Sequence, residues 1–406
     1  MKAIIKASKI HGRLTAPPSK SMAHRYLIAA GLAEGESTVR NIAMSEDIKA
    51  TISCLRSLGA TISETPKAEN NKSIASFDLS IRGTDPRKAD SAVLNCNESG
   101  SSLRFMVPVA ALSDKEMTFT GTDKLLSRPL SVYEKIFLSQ GLHLEREDKC
   151  IRLKGRLNGG EFETAGDISS QFISGLLIAL SLSDKDSIIK LSGAIESRPY
   201  IDMTMDALKS FGIRSEWKDE RTISVPGGQK YSPTDVTTEG DWSNAAYLMA
   251  IGADVHGVDD NSLQGDKACK DFFGILDSGF AEIDISDCPD LGPALMAYAA
   301  MREGCVLHGT RRLKIKESDR GSAMQAELSK FGVDADISEN SIRVYSGINT
   351  PEDALFGHND HRIVMALASL CLRTGGVIEG AEAVNKSFPD FFDAIRTVGA
   401  EFTIEE

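Results

Sequence analysis

Six stretches of almost unbroken apolar residues punctuate the chain. Each opens on small, polar or charged positions: Pro18 to Ala33, Glu98 to Leu112, Ile168 to Leu182, Gly240 to Ala253, Pro289 to Met301 and Asn359 to Leu372. A helix that is apolar on every side is a buried helix, so six buried helices are expected. About 40 residues after each start a second, amphipathic segment ends in a glycine followed by an apolar residue. These glycines are Gly59, Gly141, Gly212, Gly279, Gly332 and Gly399. Glycine there suits a left-handed cap between helix and strand. Runs such as Ser187 to Leu191 and Ile342 to Tyr345, bounded by turn residues, read as strands. The pattern therefore predicts an α/β chain of six similar units, each with two helices and several strands.

This arrangement has a chemical consequence. Each buried helix starts with unpaired N–H groups and a partial positive charge. If the units are related by pseudo-symmetry, several such ends converge and form an anion trap. The 406 residues exceed one ordinary core and predict two domains. A net charge of −12 disfavours nucleic acid as a partner, so any anion site must be a local basic cluster. The seven cysteines are scattered without C-x-x-C pairing, which fits a reducing cytoplasm better than a disulfide framework or a zinc site. Met1 to Leu14 hold no long apolar run, so no signal peptide is expected. The longest apolar stretches are too short to span a bilayer, and no membrane partner is expected.

The polar openings of the helices carry the candidate chemistry. In the first, Pro17 and Pro18 stiffen the approach, Ser19 and Ser21 are capping residues, and Lys20 stands at the start. Ser21 and Arg25, four apart, share a face. In the second, Gly100 lets a ligand approach the backbone, and Arg104 follows one turn later. Ser169, Ser170 and Gln171 supply neutral donors for phosphate oxygens, and Ser197 with Arg198 adds a hydroxyl and a guanidinium before a proline-fixed turn. From Leu313 to Ile315 the alternation suggests a strand leading into a charged turn, where Lys316, Glu317 and Arg320 crowd together. A carboxylate held among cations stays ionised and relays protons when desolvated. Asp290, Arg362 and Lys386 stand at the entrances of later helices, and His361 has no second ligand at metal spacing. Taken singly, each motif also fits an ordinary capped helix or a solvated charge run. The chain has no P-loop, no dinucleotide-binding glycine fingerprint in context and no nucleophile elbow, which argues against the chemistries they serve.

Taken together, eight motifs appear in one order: Pro-x-Ser-Lys-Ser with a following Arg, Ser-Gly-x-x-x-Arg, Arg-Pro-Leu, Ser-Ser-Gln-Phe, Ser-x-Pro-Tyr-Ile, Lys-Glu-Ser-Asp-Arg, Asn-Asp-His-Arg and Lys-Ser-Phe-Pro-Asp. Running from Ser19 to Asp390, they resemble the 5-enolpyruvylshikimate-3-phosphate synthases, within the enolpyruvyl transferases. The resemblance implies a two-domain inverse α/β barrel of six βαβαββ units, three per domain. One domain, 15–238, is inserted and binds shikimate 3-phosphate. The other, 1–14 with 239–406, contributes the phosphoenolpyruvate site and the catalytic carboxylates. The implied reaction moves the enolpyruvyl group of phosphoenolpyruvate to the 5-hydroxyl of shikimate 3-phosphate on the route to chorismate. It implies a cytoplasmic monomer and no metal or organic cofactor.

Residue by residue, the resemblance implies that Lys20, Ser21, Arg25, Ser169, Ser170, Gln171, Ser197, Asp290 and Lys316 hold shikimate 3-phosphate. Lys20, Gly100, Arg128, Gln171, Arg320, Arg362 and Lys386 would hold phosphoenolpyruvate, with Arg104 and Ser101 lining the cleft. Glu317 would exchange the proton at C3, and Asp290, with Lys20, would act at the attacking hydroxyl. Domain closure would exclude water. The chain departs from many relatives at Glu98 and His24 (Asn there), Ser101 (Thr) and Arg198 (Lys). Two other readings stay open. One is the related transferase acting on UDP-N-acetylglucosamine, which uses a loop cysteine. The other is a non-catalytic anion-binding protein of the same fold.

Overall fold

The computed structural model describes residues 1–67 and 74–406. The chain divides into two compact units. Among the described residues, the first comprises Met1–Pro17, 74–75 and Glu239–Glu406, and the second comprises 18–67 and Ser76–Thr238. Thr15 to Pro17 belong to the first unit, where Ala16 N–H donates to His256 O at 2.8 Å and Asp241 N–H donates to Pro17 O at 2.8 Å.

One repeat shows how the pattern becomes structure. Strands Glu161–Ala165 and Ser187–Ser192 are parallel, and the buried helix Ser170–Leu180 connects them. The amphipathic helix Arg198–Ser210 follows. A hairpin closes the repeat: Thr222–Val225 pairs antiparallel with the second strand, and Glu216–Trp217 with the hairpin partner. The same order and directions recur in four further four-stranded sheets. The second unit has sheets centred on Glu36–Ile42 and Met117–Thr120, and the first has sheets centred on Cys305–His308 and Gly376–Glu379. The six expected glycines all adopt positive φ, from +76° at Gly141 and Gly332 to +135° at Gly279, a region that a Cβ disfavours.

The sixth repeat is shorter. Among the described residues its sheet is only the parallel pair Arg13–Thr15 and Asp254–His256. No hairpin follows its second helix, Cys269–Asp277, because the chain passes Gly279 straight into Ala281–Asp284, the first strand of the next sheet. The strands at the unit boundaries are exchanged. Arg13–Thr15 leads into helix Lys20–Gly31 yet pairs in the first unit, and Val236–Thr237 leads into helix Trp242–Ala250 yet pairs with Glu36–Ile42 in the second.

Each unit has its own apolar core. In the second, helices Gly100–Ala110 and Ser170–Leu180 touch at Gly175, where a Cβ would lie 2.6 Å from Arg104 O and 2.3 Å from the Tyr133 hydroxyl. Tyr133 Oη donates to Arg104 O at 2.6 Å and is also 3.2 Å from Phe172 O, so one buried phenol ties the first turns of the two helices together. Burial of such a ring contributes on the order of 2 kcal/mol. Its larger service is to fix where Arg104 and Gln171 begin. Two local expectations are corrected. Arg311–Ile315 is a short 3-10 helix rather than a strand, because Leu313 turns into the core while Ile315 stays exposed. Arg198 to Tyr200 open a helix, with Ser197 at its cap position, rather than forming a proline-fixed turn.

Candidate active site

In the second unit the polar side chains gather at the starts of the buried helices. Ser19 caps helix Lys20–Gly31 by accepting from Met22 N–H, which leaves Lys20 in the first turn. Lys20 Nζ lies 2.7 Å from Asp47 Oδ2, and both side chains are mostly buried. Asp47 is delivered by the first turn of helix Glu46–Ser57, capped by Ser45. Arg25, one turn on, is buried. It donates from NH1 to Ser21 O at 2.7 Å, from Nε to Thr204 Oγ1 at 2.8 Å and from NH2 to Tyr200 O at 2.9 Å. Burial brings its pKa down to about 10, which leaves it charged at neutral pH. Arg25 therefore fastens the first helix to the start of helix Arg198–Ser210. The residue before that start, Ser197, is buried and adopts φ +56°, a rare conformation for a non-glycine residue.

The loops that lead into helices Ser170–Leu180 and Arg198–Ser210 touch, with Glu196 N–H donating to Gly166 O at 3.1 Å. This places Ser169, the cap of its helix, and Ser170 at the same end of the sheet as Ser197. Gln171 joins this group to the next. Its Oε1 accepts from Arg104 NH1 at 2.7 Å, and its Nε2 donates to Ser101 Oγ at 2.8 Å. Beside Ser101, a Cβ on Gly100 would meet Arg128 NH1 at 2.5 Å. Glycine is therefore what lets this guanidinium lie over the helix start. Glu98 is half-buried two residues earlier.

The first unit holds a network of carboxylates and cations. Arg320, the first residue of its helix, is almost wholly buried. It donates from Nε to Asp360 Oδ2 at 2.9 Å, from NH1 to Asp290 Oδ1 at 2.7 Å and from NH2 to Glu317 Oε2 at 2.7 Å. Asp290 also lies 3.0 Å from Lys316 Nζ and 3.4 Å from Arg362 NH2. Burial by itself would raise the pKa of Asp290, but Lys316, Arg362 and Arg320 hold it well below the ordinary carboxylate range. Burial pulls Lys316 below the usual lysine value, with the positive charges of Arg320 and Arg312 adding and Asp290 opposing. Asp360 caps helix His361–Thr374 through Arg362 N–H and accepts from Ser318 Oγ. Arg362 Nε and NH1 are buried and make no hydrogen bond to any described residue. Lys386 Nζ donates to Asn359 O at 2.8 Å.

The model of the family EPSP synthase (3-phosphoshikimate 1-carboxyvinyltransferase) matches residues 4–395. The chain belongs to the EPSP synthase family. It is 38% identical to the 3-phosphoshikimate 1-carboxyvinyltransferase of Clostridium novyi (strain NT), covering 97% of this chain and 96% of that protein. It is 37% identical to the protein of the same name from Clostridium perfringens (strain 13 / Type A), covering 98% of both. A solved EPSP synthase from Acinetobacter baumannii shares the fold, with a TM-score of 0.78 at 22% identity over 100% of both chains.

Within this family member the residues expected from sequence fall into two groups. Lys20, Ser21, Arg25, Gly100, Ser101, Arg104, Arg128, Ser169, Ser170, Gln171 and Ser197 lie in the second unit, while Asp290, Lys316, Glu317, Arg320, Arg362 and Lys386 lie in the first. Arg320, expected at the phosphoenolpyruvate site, has its nitrogens engaged by the carboxylates of Asp290, Glu317 and Asp360. Asp47 and Asp360 were not singled out as site residues, although each neutralises a cation that was. The sequence signal of Asp47 is only its helix-start position, which capping explains equally well, whereas Asp360 stands within the Asn-Asp-His-Arg motif. Among the described residues, no group of three or more His, Cys, Asp or Glu side chains is placed to hold a metal. No helix among them is long and apolar enough to cross a membrane.

Proposed function

We propose that this chain transfers the 1-carboxyvinyl group of phosphoenolpyruvate to the 5-hydroxyl of shikimate 3-phosphate, releasing inorganic phosphate. Membership of the family supports the reaction. The observation that carries the site is Arg362: a buried guanidinium with unspent Nε and NH1 donors, 3.4 Å from an ionised carboxylate. A buried donor without a partner costs about 1 to 3 kcal/mol. An anionic substrate removes that cost on binding, and a carboxylate or phosphate suits the planar fork.

The division of labour follows from charge. Ser169, Ser170 and Ser197 hold the 3-phosphate with Lys20, Ser21, Arg25 and Gln171, and Asp290 and Lys316 hold the ring hydroxyls. Gly100, Arg128, Arg362 and Lys386 take phosphoenolpyruvate, joined by Lys20 and Gln171, with Arg104 and Ser101 beside them. Arg320 takes phosphoenolpyruvate with them, held in place by the carboxylates of Asp290, Glu317 and Asp360. Glu317, entering the cycle protonated, gives its proton to C3 as the hydroxyl oxygen bonds to C2 and recovers a proton from C3 when the C2–O bond to phosphate breaks, while the hydroxyl proton taken by Asp290 leaves with the phosphate. Asp290 is a weak base because its neighbours hold it ionised. It orients the hydroxyl and accepts the proton only as the new C–O bond forms, with Lys20 in support. The cations stabilise the charge that develops on the departing phosphate. The second unit's groups serve mainly shikimate 3-phosphate, and the first unit's serve phosphoenolpyruvate and supply the carboxylates. We place the enzyme in the cytoplasm as a monomer, and the seven cysteines, all free, fit that compartment.

The rival acting on UDP-N-acetylglucosamine needs a reactive loop cysteine. Cys96 is fully buried against Cys54, with sulfurs 3.8 Å apart. That contact, followed by burial, pushes its thiol well above the usual value, the reverse of what a nucleophile needs. A phosphate-release assay decides between the two readings. Release should require phosphoenolpyruvate and shikimate 3-phosphate together. Release with UDP-N-acetylglucosamine in place of shikimate 3-phosphate would overturn the assignment.

A further inference from the structure

We propose that Glu327 is a positioning residue that shapes the loop carrying Asn359, Asp360 and Arg362, and so sets affinity for phosphoenolpyruvate. The inference rests on the reading of the reaction given above.

Glu327 lies two turns beyond Arg320 on the same helix, and its carboxylate is buried. Three donors converge on it from the loop and from its own helix. Phe356 N–H donates to Oε2 at 2.9 Å, Lys330 Nζ lies 2.9 Å from Oε2, and His358 Nε2 lies 2.8 Å from Oε1. A carboxylate enclosed in this way is a rigid anchor, because its desolvation is offset only while its partners stay in place.

The segment it anchors is under backbone constraint. His358 and Asn359 adopt φ +50° and +51°, two consecutive non-glycine residues in the left-handed region. That conformation is sparsely populated and persists where surrounding contacts enforce it. The turn is also tight. Gly357 N–H donates to Glu379 O at 2.8 Å, Asp360 N–H donates to Gly357 O at 2.9 Å, and a Cβ on Gly357 would sit 2.7 Å from Val364. The constrained turn sets three things at once. Asn359 O faces outward to take Lys386 Nζ at 2.8 Å. Asp360 faces inward to take Arg320 Nε and to cap the next helix. The cap aims the first turn of that helix, and with it Arg362, whose Nε and NH1 remain unspent. Glu327 touches none of these side chains directly. It holds the strand end and the imidazole from which the turn departs.

A loop that aims Arg362 and accepts from Lys386 serves phosphoenolpyruvate, whereas the serines proposed to grip the 3-phosphate lie on other elements. Loosening the anchor should therefore act on one substrate. The test is steady-state kinetics on the full chain, varying each substrate in turn, for Glu327→Ala, Glu327→Gln and His358→Asn. Glu327→Ala should raise the KM for phosphoenolpyruvate about tenfold or more, the scale of one lost charge-assisted contact. The KM for shikimate 3-phosphate should stay within about twofold, the ordinary scatter of a residue not coupled to it. Glu327→Gln keeps an oxygen for Phe356 N–H and should fall between wild type and Ala. His358→Asn removes the imidazole but tolerates the left-handed turn, so it should give the same selective rise on a smaller scale. If Glu327→Ala does not fold, the other two variants decide. Equal rises in both KM values, or an unchanged KM for phosphoenolpyruvate in both Glu327→Gln and His358→Asn, would overturn the proposal. A wild-type chain inactive on both substrates would remove the functional reading and this inference with it. An active wild type with neutral variants would remove the inference alone.

Discussion

Arg320 Nε donates to Asp360 Oδ2 at 2.9 Å, and neither side chain has more than 2% of its surface exposed. Each end of this pair has a second task. Asp360 caps the helix that carries Arg362, and Arg320 gathers Asp290 and Glu317. Removing one partner from a buried pair leaves an uncompensated charge, at about 3 to 5 kcal/mol. Asp360→Asn should therefore lower the thermal midpoint by several degrees and reduce turnover, since it loosens the cap and shifts Arg320 toward its other carboxylates. A midpoint within one degree of wild type in a melting scan would show that the pair is solvated and carries no such weight.

Glu317 sits at the edge of that network rather than its centre, with its carboxylate 2.7 Å from Arg320 NH2 and its side chain 21% exposed. Glu317→Gln keeps the shape and a hydrogen-bonding oxygen but cannot exchange a proton. Turnover should fall by about 10² to 10⁴, the usual contribution of general acid–base catalysis. Dissociation constants for both substrates, measured by calorimetry, should stay within a few-fold. A loss of binding that matches the loss of turnover would assign Glu317 to substrate recognition instead.

How much of this was legible in the sequence depended on how local each feature is. The buried helices and their glycine caps were readable, because an all-round apolar run and a positive-φ glycine are properties of a few neighbouring residues. The repeat followed from their spacing. The short helix at Arg311–Ile315 was not readable, since Leu313 and Ile315 alternate as a strand would and only the core contact of Leu313 decides otherwise. The missing hairpin of the sixth repeat was hidden as well, because Ala281–Asp284 reads equally well as the end of one unit or the start of the next. The pairings of Asp47 and Asp360 were hidden for a different reason. Their meaning lies in cations 27 and 40 residues away, and pairings at that range leave no trace in local pattern. The strained turn at Ser197 was equally silent, since a serine before a helix looks like an ordinary cap.

Ser169, Ser170 and Ser197 are proposed to hold one phosphate, and their substitutions should therefore act on one substrate. Each Ala variant should raise the KM for shikimate 3-phosphate by about tenfold, the value of a hydrogen bond to a charged group, with the KM for phosphoenolpyruvate little changed. Ser197→Gly is a useful control. It also removes the hydroxyl but relieves φ +56°, so it should match Ser197→Ala in KM while melting higher. Kinetics with each substrate varied separately gives the answer. A rise confined to phosphoenolpyruvate would reassign the three serines.

His24 makes the acid limit of stability testable apart from catalysis. Its Nδ1 lies 2.8 Å from Thr51 Oγ1, which in turn lies 2.7 Å from Ser102 Oγ, so a buried chain of polar groups links two helix starts. Burial foremost, then the charges of Lys20 and Arg25, hold the His24 pKa well below 6.5. The unfolded chain takes up a proton near the ordinary histidine value while the folded chain refuses it. Stability from this source is therefore complete above that value and is lost as the pH falls, by up to about 1.4 kcal/mol per pH unit, until the folded pKa is reached. His24→Asn keeps a hydrogen-bonding amide for Thr51 and removes the titration. Urea midpoints of wild type and variant should differ by a constant amount above about pH 7, and the gap should shift in the variant's favour below about pH 6. A gap that stays constant down to pH values where the protein begins to unfold would mean that His24 takes up its proton freely in the folded state. The buried, neutral imidazole would then be the wrong description.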